Sequence, residues 1–146
     1  MGSSPIFPSI NQNCPYNYVS NHYNLITTKK QTNITIKCTK KTLSILNIFY
    51  RTGIVSNFIL YKNMYTKNTN FFIKFSPIFY KNSNFFKKIK TISTPSKAFY
   101  IRINSLHLIQ KVFKSSIVII STSKGLLTLN EALSVGIGGK VVYIIN

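Results

Sequence analysis

Residues 117–146 read IVIISTSKGLLTLNEALSVGIGGKVVYIIN. Ile117 to Ile120 is β-branched throughout, which predicts a strand buried on both faces. Ser121-Thr122-Ser123-Lys124-Gly125 follows it directly: three hydroxyls, a cation and a glycine. Thr128-Leu129-Asn130-Glu131 then has the T-x-x-E form of a capping box. In that box the Thr hydroxyl accepts from the N3 backbone N–H, and the Glu reaches back to the cap N–H. A helix is therefore expected from Thr128, with Gly136 as its stop. Gly136-Ile137-Gly138-Gly139 permits a tight helix-to-strand turn and close packing against a neighbour. Val141 to Ile145 reads as the closing strand.

Upstream, Leu106 to Phe113 reads as a short helix. Lys88 to Ser93 and Ala98 to Ile103 read as strands around the turn Thr94-Pro95-Ser96-Lys97. Asn82 to Asn84 marks a lobe boundary. Phe71 to Tyr80 reads as a strand demoted near Pro77 to an edge or a bulge. Asn63 to Asn70 is a polar turn, and Ile54 to Lys62 alternates as a strand. Its expected faces are Ile54, Phe58 and Leu60 on one side, and Val55, Ile59 and Tyr61 on the other. Thr39 to Thr52 is the best helix of this half: Thr39 caps it, Ile45, Ile48, Phe49 and Thr52 form a stripe, and Gly53 ends it. Asn33 to Lys37 alternates as a short strand. Tyr18 to Thr28 reads as a short polar helix with Val19, Tyr23 and Ile26 on one side. The Ser-, Pro- and Asn-rich residues before it read as an irregular tail. There is no internal repeat.

This order predicts an α+β fold of two lobes. Residues 1–17 are the tail, 18–82 an N-terminal α/β lobe of βαββ type, and 83–146 a C-terminal, mainly β lobe with a short helix.

Charge narrows the function. The chain has 146 residues and a formal net charge of +18, with Glu131 as its single acid. Such an imbalance repels itself and seeks anions. The candidate counterparts are nucleic acid, an anionic membrane surface or an acidic protein. Apart from Arg51 and Arg102, the positive charges are lysines, and Asn, Ile, Lys, Phe and Tyr crowd the sequence. All five have AT-rich codons, so mutational drift contributes to the lysine excess. Drift does not by itself remove nearly every acid. Cys14 and Cys38 form no C-x-x-C pair and read as free thiols. No apolar run has transmembrane length. The start fits neither a myristoylation pattern nor an Arg-rich amphipathic presequence, which for an organelle protein is expected of synthesis inside the organelle.

Enzyme readings lack parts. General acid–base chemistry needs paired carboxyls, or a His with an orienting acid. The one carboxylate here is assigned to a helix cap. His22 and His107 are far apart in sequence and share no ligand spacing with the cysteines, so no metal site and no cofactor are expected. The Gly136–Lys140 segment fails the P-loop and dinucleotide patterns. The hydroxyl-rich run Ser121–Gly125 remains. It suits an RNA minor groove, where 2′-hydroxyls and base edges lie on a wide, shallow surface. Lys29-Lys30, Lys40-Lys41, and Lys87-Lys88 with Lys90 are candidates for phosphate contacts, which position a protein without reading sequence. Aromatics interleave with lysines at Phe71, Phe72 and Phe75 around Lys74, and at Phe79 and Tyr80 beside Lys81. Their period-two placement favours core packing, with base stacking as the other role.

Ser121-Thr122-Ser123-Lys124-Gly125, then Leu127-Thr128, Glu131-Ala132 and Gly136-Ile137-Gly138-Gly139, resemble the C-terminal signature of the S-eight family of small-subunit ribosomal proteins. Ser93-Thr94-Pro95-Ser96 with Tyr100 is similar to that family's S-x-P-G turn and following Tyr. Lys40 to Val55 resembles its second helix and closing Gly. The resemblance implies a two-lobed protein that binds the central domain of small-subunit ribosomal RNA early in assembly, among neighbouring small-subunit proteins. It implies RNA contact by Ser121, Thr122, Ser123, Lys124, Gly125 and Tyr100, with Lys97 beside them. Three positions depart from the pattern: Ser96 for a Gly, Ala98 for a frequent Arg, and Lys140 for an acid. Composition adds the expectation of a mitochondrial ribosome, with a plastid or apicoplast ribosome as the alternative. The rivals are a basic peripheral protein on an anionic membrane, and a hydroxyl-nucleophile enzyme using Ser123 and Lys124. The candidate helix carries its lysines at one end rather than along a face, and Ser-Lys adjacency lacks S-x-x-K spacing.

Overall fold

Pro15 opens the first helix, α1 (Pro15–Lys29). Its missing N–H and fixed φ suit the first helical position. The helix thus begins three residues before the apolar pattern that revealed it. Val19, Tyr23 and Ile26 are buried along one side. The computed structural model describes residues 14–62, 64, 70–81, 83–84, 86 and 88–146, so most of the expected tail and of the Asn63–Asn70 turn lies outside the described residues.

After β1 (Ile34–Lys37) comes α2 (Lys40–Arg51). Thr39 caps it, and Thr42 completes a capping box that the T-x-x-E pattern misses because a Thr stands in place of the acid. Thr42, Ile45, Leu46, Ile48 and Phe49 are buried along it. Gly53, at φ 78°, makes the sharp exit. β2 (Val55–Lys62) and β3 (Phe71–Pro77) follow as antiparallel partners.

The sheet order is β1-β3-β2, so β3 is central. Of the two expectations for Phe71–Tyr80 near Pro77, an edge or a bulge, the central position excludes the edge and the bulge is what the strand has. Pro77 is tolerated because the ladder is irregular opposite it, with a register shift between Val55 and Asn57. The strand breaks at Ile78, and β4 (Phe79–Tyr80) pairs in a short ribbon with β5 (Ser83–Asn84).

β6 (Ile89–Thr91), β7 (Tyr100–Ile101), β8 (Ile117–Thr122), β9 (Gly125–Thr128) and β10 (Gly139–Ile145) make the second sheet. β6 and β7 do not form a hairpin around their turn. Each pairs with a different stretch of β10. Two helices accompany this sheet, as expected from Leu106–Phe113 and from the Thr128 capping box: α3 (Ile103–Val112), which begins three residues earlier than its pattern, and α4 (Leu129–Val135).

The capping box at α4 is present. Thr128 Oγ1 accepts from Glu131 N at 3.3 Å, and Glu131 Oε2 accepts from Thr128 N at 2.8 Å. The same carboxylate oxygen accepts from Arg51 Nη2 at 3.0 Å, tying α4 to the end of α2.

Two cores flank β10 and β8. One holds Ile101, Leu106, Val118, Ile120, Ala132 and Val141 beneath α3 and α4. The other joins residues of both sheets: Tyr23, Phe49, Ile73 and Phe75 with Ile119, Tyr143 and Ile145. Phe49 lies 6.3 Å from the Tyr23 ring and 5.5 Å from the Tyr143 ring, so an aromatic chain links α1, α2 and the last strand. Such pairs add roughly 0.5–1.5 kcal/mol each beyond burial, and cutting Phe49 to Ala costs roughly 3–5 kcal/mol. This shared core fixes how α2 sits against β8 and β10.

Candidate nucleic-acid interface

Ser121 to Gly125 is a β-hairpin tip rather than a free loop. Ser121 pairs with Leu126 and Thr122 with Gly125, so only Ser123 and Lys124 turn the chain. Thr122 Oγ1 donates to Gly125 O at 2.9 Å and accepts from Lys124 N at 3.2 Å. Its hydroxyl is therefore spent on the turn. Among the described residues, the hydroxyls of Ser121 and Ser123 make no hydrogen bond, which leaves both for a ligand. Ser123, Lys124 and Gly125 are exposed. Gly125 has φ 103°, a conformation that side chains rarely adopt.

The register of β10 assembles the rest. Lys140 pairs with Tyr100 on one side and Ser121 on the other. Directly opposed residues share a face, so Tyr100, Lys140, Ser121 and Leu126 form one row across β7, β10, β8 and β9. Tyr100 is 72% exposed. The row continues the side that packs on α1 and α2, since Leu126 joins the core with Phe49 and Tyr143.

Glycines allow this closeness. A Cβ on Gly139 would sit 2.3 Å from Ser121 O, and one on Gly138 would sit 2.4 Å from Ile101 O. The expectation of close packing at this glycine pair thus has named partners.

Ser93 sets Tyr100. Its buried hydroxyl donates to Val141 O and accepts from Phe99 N at 3.0 Å. The turn before it closes by Thr94 N donating to Lys97 O at 3.0 Å and Lys97 N donating to Thr94 O at 3.2 Å. Ser96 does not have a positive φ, so its replacement of a Gly is accommodated without strain. Lys97 lies exposed on this turn, ahead of Tyr100.

Across from the row lies the start of α2. Lys40, Lys41, Ser44, Tyr16, Ser121 and Gly125 line one cleft of about 240 Å³. Tyr143 Oη donates to Tyr16 O at 2.7 Å, fixing the first turn of α1 at this cleft. Burial raises the Tyr143 hydroxyl's pKa well above its usual range, with Tyr16 and Cys14 adding to the shift, so it stays a donor. α2 has no acid in its first turn. Two lysines at the positive end of a helix dipole oppose it by roughly 0.3–1 kcal/mol each. An anion in the cleft would reverse that penalty.

Not every candidate converges here. Lys29 and Lys30 lie at the far end of α1, about 20 Å from its first turn. There Lys29 complements the helix C-terminus and Lys30 adopts φ 51° as its cap. Lys88 and Lys90 are exposed, and Lys87 is outside the described residues. Sequence reasoning missed Tyr16 and Ser44. It saw Lys140 only as a departure, because only cross-strand register shows that this lysine is flanked by Tyr100 and Ser121.

His22 Nδ1 is 2.7 Å from Tyr18 O, and both cysteines are free thiols. Among the described residues, no cluster of His, Cys, Asp or Glu has a metal-binding arrangement, and no helix is long and apolar enough to cross a membrane.

No curated protein sequence matches the chain at a significant level. The family model for ribosomal protein S8 matches residues 17–145. That span takes in all but the first two residues of α1, both sheets, the hairpin tip and the glycine pair, and so the chain belongs to the ribosomal protein S8 family, structural and non-catalytic proteins of the small ribosomal subunit that bind ribosomal RNA.

Proposed function

We propose that this protein braces the central domain of small-subunit ribosomal RNA and supports assembly of the subunit, in a mitochondrial ribosome. The observation that carries the reading is the single surface made by the Tyr100–Lys140–Ser121 row, the Ser123–Lys124 tip and the Lys40–Lys41 end of α2. Ser121 and Ser123 offer hydroxyls to 2′-hydroxyls and base edges of a minor groove. Tyr100 supplies an exposed ring beside them. Lys40, Lys41, Lys124 and Lys140 hold the flanking phosphates, with Lys97 at the margin. Lys29 and Lys30 act, if on the same RNA, at a second point of its backbone. Neighbouring small-subunit proteins complete the partners. The organellar assignment rests on the lysine-for-arginine bias and the excess of Asn, Ile, Phe and Tyr, which suit an AT-rich genome.

The test is binding to the organism's own central-domain RNA and to a scrambled hairpin over a salt series. Wild-type protein is expected to prefer the cognate RNA, with a Ser121→Ala/Ser123→Ala variant losing that preference at high as well as low salt. Equal affinity for both RNAs that collapses as salt rises would leave only counterion release and remove the site assignment. Mass spectrometry of purified mitochondrial and plastid ribosomes decides the compartment.

A further inference from the structure

The β1–β3–β2 sheet has a second face. Its core side carries Ile36, Ile73 and Phe75, all buried. On the other side, register aligns Lys37, Phe72 and Tyr61 in one row, and Thr35, Lys74 and Ile59 in the next. Phe72 is half-buried and the other five are exposed, with Ile59 at 61% and Tyr61 at 41%. No described element covers them.

Tyr61 and Phe72 stack, with centroids 6.0 Å apart and planes inclined by 25°. Lys37 stands across the strand from Phe72, about 5 Å away. Lys74 stands two residues along the same strand, about 7 Å away. A partly exposed aromatic pair, with one cation across the strand from Phe72 and another along it, is therefore built on paired strands. The sequence favoured core packing for its aromatics. That holds for Phe75, whereas Phe72 points to the opposite face, as period-two alternation requires.

Neither row contains an acid, and the whole chain has only Glu131, which is engaged at the α4 cap. The occupant must bring the negative charge and tolerate apolar ring faces. Single-stranded RNA does both, since every base has a π-face and every linkage a charge.

We propose that this outer sheet face is a second RNA site, which takes an unpaired segment by stacking bases on Tyr61 and Phe72 while Lys37 and Lys74 hold the adjoining phosphates. It shares no side chain with the hairpin-tip surface and goes beyond that reading, though it keeps RNA as the partner. A structured helix would be held at one surface and an unpaired strand at the other.

The test uses the full chain and two labelled probes, an oligoadenylate of about eight nucleotides and the central-domain hairpin, by fluorescence anisotropy across a salt series. Tyr61→Ala/Phe72→Ala is expected to weaken oligoadenylate binding roughly 5- to 100-fold and to leave the hairpin unchanged. Lys37→Gln/Lys74→Gln is expected to flatten the salt slope for the oligonucleotide by about 1.4, or 0.7 per phosphate. Tyr61→Phe, which keeps the ring, is expected to bind as wild type. If the alanine pair unfolds, Phe72→Leu keeps apolar bulk without a π-face and gives the decision: lost affinity supports stacking, and retained affinity overturns it. Oligoadenylate binding that is unchanged in the alanine pair, or absent from the wild type, overturns the proposal. So does a face that drives only self-association or protein binding. A wild type that binds the hairpin but not the oligonucleotide defeats this inference alone. One that binds the oligonucleotide but does not distinguish cognate from scrambled hairpin defeats the hairpin-tip reading alone.

Discussion

Replacing Gly139 by Ala tests how the hairpin tip is held. A Cβ there would lie 2.3 Å from Ser121 O and 3.0 Å from the Ile120 Cγ2 atom. A comfortable carbon–oxygen contact is about 3.3 Å, so β10 and β8 must part locally by about 1 Å. That stretch takes the ladder bonds between Lys140 and Ser121 from about 2.9 Å to about 3.9 Å, beyond hydrogen-bonding range. Losing such bonds costs roughly 0.5–1.5 kcal/mol each, and forcing the methyl group in adds roughly 1–3 kcal/mol. With two such bonds the total is about 2–6 kcal/mol, which lowers the melting temperature by roughly 5–20 °C for a chain of this size. The assay is thermal unfolding by circular dichroism, followed by hairpin affinity at a temperature where the variant is folded. Affinity is expected to fall as well, because Ser121 moves with its strand. Gly53→Ala is the control: it has φ 78° but no atom within 4 Å of its Cβ, so only backbone strain of about 1 kcal/mol applies. A Gly139→Ala protein as stable as the Gly53→Ala protein would refute the close approach of β10 to Ser121.

Three further outcomes are expected. Lys140→Gln should reduce the salt slope of hairpin binding by about 0.7–0.9, the share of one phosphate contact, with no change in slope denying Lys140 that role. Thr128→Ala should cost about 1 kcal/mol in denaturant unfolding through loss of the α4 cap, whereas Arg51→Ala should cost less than about 1 kcal/mol and lose its effect in salt, because that ion pair is solvent-exposed. Burial raises the pKa of Tyr23 and Tyr143 in the folded state, so their contribution is complete below pH about 10 and is lost as pH rises through the folded values, since the unfolded chain releases those protons first. Tyr23→Phe/Tyr143→Phe should therefore show a shallower fall in stability between pH 10 and 12 than wild type, by up to about 1.4 kcal/mol per pH unit per tyrosine, and parallel curves would deny the effect.

Two helices, α2 and α4, were legible because each carries its own start and stop. Thr39 and Gly53 bracket α2, and Thr128, Glu131 and Gly136 bracket α4, through bonds made within one turn of the chain. The α1 start was misread because its signal is a proline rather than a capping hydroxyl. β9 was hidden because Gly125–Thr128 has no alternation, and its strand character comes from pairing with β8. The central place of β3 was equally invisible. Proline argues for an edge or a bulge, and the irregularity opposite Pro77 shows that a bulge is how this central strand admits it.

The same division holds for function. By itself the sequence determined the charge, the lack of paired acids, the hydroxyl run with its glycine and the capped helix after it, since these depend on residue type and on neighbours a few positions away. Only the tertiary structure decided which lysines lie near the tip. Lys40 and Lys41 reach the cleft because Phe49 packs α2 against Tyr143, while Lys29 and Lys30 are carried to the far end of α1. Lys140 lies between Tyr100 and Ser121, and Phe72 turns its ring outward beside Tyr61, because of strand register. Register is a property of paired strands, settled by which faces can be buried together, and no single segment of the chain contains it.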